Sequence, residues 1–218
     1  MKYKLEWIYK LKGGEGVLVT SDWLDGETAL LFGEEIERSG KGKELTFYDE
    51  AGTSWILKEM KKLLIEVEEE PHDILVFFDG GYNKDTNESG LGAVIYYKQG
   101  KKKYRIRSNQ LFHELENNNE AEYAALHYAL SLLEELGVSQ MSCEFKGDAQ
   151  GVLKQLEGDW PCYEENLSRW LDNIEEKING LSLHARYTPI SRNENKEADK
   201  LASQALEGKV IHSKMQLL

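Results

Sequence analysis

Cysteine is scarce. The chain has two in 218 residues, Cys143 and Cys162. They make no metal-ligand spacing, and they read as buried or idle thiols rather than a disulfide framework or a catalytic pair. Proline is nearly as rare, with three residues, and nothing in the composition is collagen-like, mucin-like or disordered overall. Long apolar runs are missing: no stretch approaches the roughly 18 residues that span a bilayer. The opening "MKYKLEWIYK" alternates polar and apolar residues. It lacks the apolar core and small-residue cleavage site of a secretory signal. A soluble cytoplasmic protein with no membrane partner is therefore expected. Positive charge is also in deficit, with 27 Lys and Arg against 39 Asp and Glu, a net charge of −12. Residues 1–72 hold ten basic and sixteen acidic residues, and residues 73–218 hold seventeen and twenty-three. Neither half is a basic module, so binding of nucleic acid by bulk electrostatics is excluded. Such a function would need local patches, or metal ions that bridge an acidic protein to an acidic substrate.

With 40% hydrophobic residues, the chain can build a sizeable core. Its patterning suggests two regions. Residues 1–66 read as a small α+β domain. "KYKLEWIYKL" and "EGVLVTS" flank a turn at Gly13–Gly14, "DGETALLFGEEIERSG" has helical spacing with Gly40 as its stop, "ELTFYDE" is strand-like, and "TSWILKEMKKLL" is helical with Thr53 or Ser54 as cap. No chemistry is visible there, and Trp7, Trp23 and Trp55 read as core rather than as a binding face. Residues 67–73, within the acidic "IEVEEEPHD", read as a linker. Residues 74–210 form the larger domain, and 211–218 a C-terminal tail. The larger domain opens with strand "ILVFFD", followed by "GLGAVIYYKQG" and "KKKYRIRSNQL" as an antiparallel meander. A helix over about Glu120 to Leu136 has Asn118 or Asn119 as N-cap and ends at Gly137. Strand "MSCEFKGD", helices "AQGVLKQLEG" and "ENLSRWLDNIEEKI", strand "LSLHARYTPI" and helix "NENKEADKLASQAL" complete it. Hairpin-linked strands followed by crossover helices predict an α/β fold, a mixed sheet flanked by helices.

Four carboxylates occupy unusual places in this pattern. Asp79 ends the first strand, directly before Gly80 and Gly81, and Asp148 ends the fourth. Parallel strands joined by a helical crossover bring such ends to one sheet edge, where open α/β sheets bind ligands. Glu122 lies in the first turn of the long helix and Asp199 early in the last. Singly, each has an ordinary reading: a strand-end Asp opens a turn, a first-turn Glu complements the helix dipole, and a helical Asp is solvated. Together they would repel one another unless divalent cations neutralised them, and oxygen-only ligation selects hard ions such as magnesium or manganese. Two such ions roughly 3.5–4 Å apart suit in-line displacement at a phosphodiester.

The motifs "FFDGG", "NNNEAEYAAL", "GDAQGVLKQLEG" and "ENKEADKLA", in that order, resemble the type 1 ribonuclease H family over Ile74 to Leu206. The resemblance implies a ribonuclease H-like fold with a five-stranded mixed sheet, here with an added N-terminal domain. It implies cleavage of the RNA strand of RNA–DNA hybrids with two Mg2+ ions, Mn2+ being a possible substitute. Carried over by position, the catalytic and metal-binding residues are Asp79, Glu122, Asp148 and Asp199. Asn118, Asn119 and Gln150 match hybrid-contacting residues, and Gly80 would let the backbone approach the substrate. Three departures stand out. The segment after Asp148 lacks the family's basic, Trp-rich protrusion. The loop "YTPISRNENKE" has no His, as in archaeal-type members; there Arg192 would approach the substrate and Glu194 would be a mobile acid, leaving His184 structural. Ala149 replaces the usual Ser or Thr. A weakly active or inactive nucleic-acid-binding paralogue, a DNA-directed nuclease or recombinase of the wider fold, and an interaction protein organised by its N-terminal domain remain alternatives. A protein partner, rather than a hybrid, is one expectation for that domain.

Overall fold

The computed structural model describes residues 1–218, the side chain of Glu68 excepted. Two compact units divide the chain, Met1–Glu69 and Glu70–Leu218. The first contains β1 (Lys2–Tyr9), β2 (Val17–Thr20), β3 (Leu24–Asp25), α1 (Gly26–Ser39), β4 (Gly42–Asp49), β5 (Ser54–Trp55) and α2 (Leu57–Glu69). Its strands are antiparallel, in the order β2-β1-β4-β5, with β3 also on β1. Alternation along β1 buries Tyr3, Leu5 and Trp7 in a core that includes Ala29, Ile36, Phe47, Leu57 and Met60. Asp25 caps α1 by accepting from the Thr28 amide at 2.9 Å. Neither Thr53 nor Ser54 caps α2, because Ser54 is already in β5; the Glu59 carboxylate instead accepts from the Ile56 amide. Trp7 and Trp55 join this core, whereas Trp23 stays 46% exposed.

The second unit contains β6 (Pro71–Asn83), β7 (Glu88–Gln99), β8 (Lys102–His113), α3 (Asn118–Glu135), β9 (Ser142–Gly147), α4 (Gln150–Leu156), α5 (Glu165–Gly180), β10 (His184–Pro189), α6 (Lys196–Leu206) and β11 (His212–Leu217). Its sheet runs β10-β9-β6-β7-β8-β11, with β10, β9 and β6 parallel and the other pairings antiparallel. The mixed α/β sheet matches expectation, but it has six strands rather than five. The residues read as a tail, 211–218, supply the sixth: His212–Leu217 pairs with β8 from Ser108 to Lys103. Residues 67–73 are not a free linker either, since α2 continues through Glu69 and β6 opens at Pro71. Among the described residues, no helix is long and apolar enough to cross a membrane.

Alternation along β6 and β7 divides the apolar residues between two faces. Val76, Phe78, Ala93 and Ile95 pack with α3 and α5 in the main core. Phe77, Val94 and Tyr96 pack with Ala198 and Leu201 of α6. Three glycines let the helices approach the sheet closely. A Cβ on Gly80 would lie 2.1 Å from the Ala121 carbonyl oxygen in α3. On Gly90 and Gly92 it would lie 2.0 and 2.3 Å from the carbonyl oxygens of Ala202 and Ala198 in α6. Gly80 thus admits the close approach of α3, a packing role that the sequence alone did not suggest.

Candidate active site

Strand register brings the first two carboxylates together. β6 and β9 pair in parallel from Ile74↔Cys143 to Phe77↔Lys146, where the pairing stops. Asp79 and Asp148 each lie two residues beyond that last pair, so they emerge side by side where the strands separate. Asp79 does not end its strand, because β6 continues to Asn83 against β7, with Asp79 opposite Gly92. The apolar run therefore carries Asp79 into a buried position, 7% exposed. Glu122 comes from α3. That helix is capped by Asn117, not Asn118 or Asn119: the Asn117 side chain accepts from the Glu120 amide, and Glu120 accepts from the Glu116 amide. Glu122 consequently sits in the second turn rather than the first, and its Oε2 accepts from the Gly80 amide at 3.2 Å. Asp199 stands in the first turn of α6, and its Oδ1 accepts from the Arg192 guanidinium at 2.8 Å.

Asp79 and Glu122 each feel the negative charge of other acids of the set. Burial raises Asp79 to about 7, reinforced by the negative charges of Asp148 and Asp199. Burial raises Glu122 to about 9, reinforced by Asp79 and Asp148. Arg192 opposes both shifts, but its side chain is 80% exposed, so solvent screens much of its effect. Among the described residues, no three carboxylates ring a metal site as they stand. The Asn195 amide lies between Asp79 and Asp148, and Arg192 rests on Asp199. The donor set still fits hard divalent cations: it is all oxygen, partly buried and under mutual repulsion that a cation would relieve.

Asn118 Oδ1 accepts from the Tyr82 amide at 3.2 Å, three residues beyond Asp79 on β6. Asn119 and Gln150 are exposed, and Gln150 opens α4 two residues after Asp148. Ala149, where the family usually has a hydroxyl, is partly buried and packs against the main core. Glu194 closes a turn, accepting from the Ser191 amide at 3.0 Å and its hydroxyl at 2.7 Å, which depresses its pKa. His184 begins β10 and is exposed. The sequence reading missed Asn195, 1% exposed. It donates from Nδ2 to the Phe78 carbonyl (2.9 Å), Asp79 Oδ1 (3.3 Å) and Asp148 Oδ1 (2.6 Å). The only signal in the sequence was an Asn just before a helix, which is also the ordinary signature of an N-cap.

A mixed sheet with helices on both faces, and acids gathered where two parallel strands part, defines the ribonuclease H-like class of α/β protein. Residues 77–205 match the family described as reverse transcriptase-like, and the chain belongs to it. It is 46% identical over 198 residues to the "Uncharacterized protein YpeP" of Bacillus subtilis (strain 168), covering 91% of this chain and 87% of that protein. It is 37% identical over 90 residues to the ribonuclease HI of Halobacterium salinarum, covering 41% of this chain and 44% of that protein. The crystal structure of LC11-RNase H1 in complex with an RNA/DNA hybrid superposes with a TM-score of 0.56 at 26% identity, covering 62% of this chain and 98% of that one. Family and fold together support a nuclease-type function.

Proposed function

We propose that this protein is a metal-dependent endoribonuclease that hydrolyses the RNA strand of RNA–DNA hybrids. The observation that carries this reading is the register-matched pair Asp79 and Asp148, joined by Glu122 and Asp199, at the edge where β6 and β9 separate. These residues would hold two Mg2+ ions, or Mn2+ in their place. The ions would supply the positive charge that lets water displace one ester oxygen at phosphorus. The rest falls to the protein. β6 holds Asp79 in its ladder to β7, β9 delivers Asp148 just past its end, α3 and α6 bring the other two, and the Gly80 amide orients Glu122. Asn118 and Asn119 open α3 ahead of Glu122, and Gln150 follows Asp148 at the start of α4, so on this reading they would contact the minor groove of a bound hybrid. Amide side chains can both donate to and accept from 2′-hydroxyls, which are exposed in the wide, shallow groove of a near A-form strand. Such contacts distinguish RNA from DNA without reading sequence. The LC11-RNase H1 complex supports a hybrid as the ligand of this architecture.

A weakly active or inactive binding paralogue is the second reading, and the Arg192–Asp199 ion pair favours it, since it sets a protein cation against one of the four acids. One assay separates the two. Purified protein and Asp148→Asn are incubated with labelled hybrid, duplex DNA and duplex RNA, in Mg2+, Mn2+ or chelator. Cleavage of the hybrid alone, dependent on metal and abolished in Asp148→Asn, is expected. Hybrid binding without cleavage under either metal would select the paralogue.

A further inference from the structure

We propose that Asn195 is the positioning residue that holds Asp79 and Asp148 side by side, so that a divalent cation meets two oxygens already in place. The inference rests on the metal-dependent reading above and deepens it.

Asn195 directly precedes α6. An Asn in that position ordinarily turns its side-chain oxygen onto the amides of the first turn. Here it makes no such bond. Its side chain faces the sheet instead, where Nδ2 serves the Phe78 carbonyl and one oxygen each of Asp79 and Asp148. An amide nitrogen has two hydrogens, so the three acceptors share them. The orientation is determined by its neighbours: exchanging oxygen for nitrogen would set an acceptor against a carbonyl and two carboxylates. The fold even retains a penalty for this arrangement, because Oδ1 is buried without a hydrogen-bond partner, and an unsatisfied buried acceptor is destabilising. A helix cap is given up, an acceptor is orphaned, and the return is a donor between two like charges.

The chemistry explains why the residue is an amide. A Lys or Arg at this point would neutralise the carboxylates and compete with a cation. An Asp would add to the repulsion. An amide bridges one oxygen of each acid without adding charge. The Asn195 backbone extends the link, since its carbonyl accepts from the Asp199 amide at 3.1 Å. One residue thus ties β6, the segment after β9 and the first turn of α6, and with them three of the four acids.

The test uses the full-length protein with Asn195→Ala and Asn195→Gln, the second keeping the amide but displacing it by one methylene. Mn2+ affinity is measured by calorimetry, folding by thermal denaturation, and hybrid cleavage as a function of metal concentration. Both variants, while folded at the assay temperature, are expected to bind Mn2+ about 10- to 100-fold more weakly. KM for the hybrid should be unchanged, and kcat should recover at high Mn2+. A variant that melts earlier yet binds Mn2+ within about twofold of wild type would overturn the proposal, because that is what a merely structural role produces. Should neither variant fold, wild-type protein decides: the Asn195 side-chain amide signals in nitrogen-edited NMR are expected to shift in step with Mg2+ saturation, and invariance would overturn the proposal. Wild type that binds neither ion would overturn this inference and the metal-dependent function together; normal binding by wild type and by the variants would overturn the inference alone.

Discussion

Two carboxylates held well above their ordinary range set the electrostatics of the candidate site. Asp79 is raised to about 7 and Glu122 to about 9, whereas in the unfolded chain both release their protons near pH 4. Between those limits the folded protein holds more protons than the unfolded one, so its stability falls as pH rises. The metal-free protein is expected to lose thermal stability steadily from about pH 5 to about pH 9, and Glu122→Gln should flatten much of that loss. Melting curves across this range check it; a wild-type curve that climbs would contradict the assignment. Divalent cations bind the deprotonated acids, so Mn2+ affinity should tighten over the same interval. The four acids were legible in the sequence because each interrupted, or stood beside, an apolar periodic run that made it conspicuous. Asn195 was not, because a capping Asn and a bridging Asn look alike until the neighbouring strands are in place. The packing role of Gly80 was not legible either: its neighbour across 41 residues of chain is the Ala121 carbonyl, a contact that no local pattern contains.

At the scale of elements, the helices sit as close to the sheet as glycine permits. Gly80→Ala would drive a methyl group into backbone that has no rotamer by which to yield. It is expected to destabilise the protein by roughly 1–3 kcal/mol and to disturb Glu122, which is held by the same residue's amide. Gly151, inside α4 with nothing within 4 Å of its missing Cβ, is the internal control: Gly151→Ala should be neutral or stabilising by up to about 1 kcal/mol. Equal losses from the two substitutions, read by chemical denaturation, would refute the close-approach argument. β11 makes the complementary point. Its residues are mostly exposed, so its apolar pattern is faint. What holds it is the ladder to β8, the Asn109 side chain accepting from the Ile211 amide at 2.7 Å, and Lys214 lying over the stacked rings of Tyr97 and Tyr104. Hydrogen bonding to an existing edge leaves little trace in composition, which is why this strand read as a tail.

For the whole molecule, the charge deficit shapes how a hybrid can be held. A protein that makes six to ten Lys or Arg contacts to phosphate loses about 10³- to 10⁵-fold in affinity between 50 and 200 mM salt. This chain carries 27 basic residues against 39 acidic ones, and Arg105 and Arg107 are already engaged by Glu197. Its hybrid affinity is expected to fall by less than about 100-fold over that range and to depend strongly on divalent cations; a steep salt slope in chelator would contradict both. Since the units Met1–Glu69 and Glu70–Leu218 have separate cores, residues 70–218 alone should fold and cleave the hybrid with unchanged affinity. A marked loss would assign hybrid binding to the first unit. Apolar periodicity was enough to establish an α/β chain, because burial of one face of each element is written residue by residue, and the resemblance of four acidic motifs to the type 1 ribonuclease H family supplied the type. The strand that runs on through Gly80 and Gly81, the sixth strand at the sheet edge and the amide between Asp79 and Asp148 depend on partners distant in the chain. Pairing, close approach and the sharing of a buried donor arise only when those partners meet, so they belong to the folded molecule.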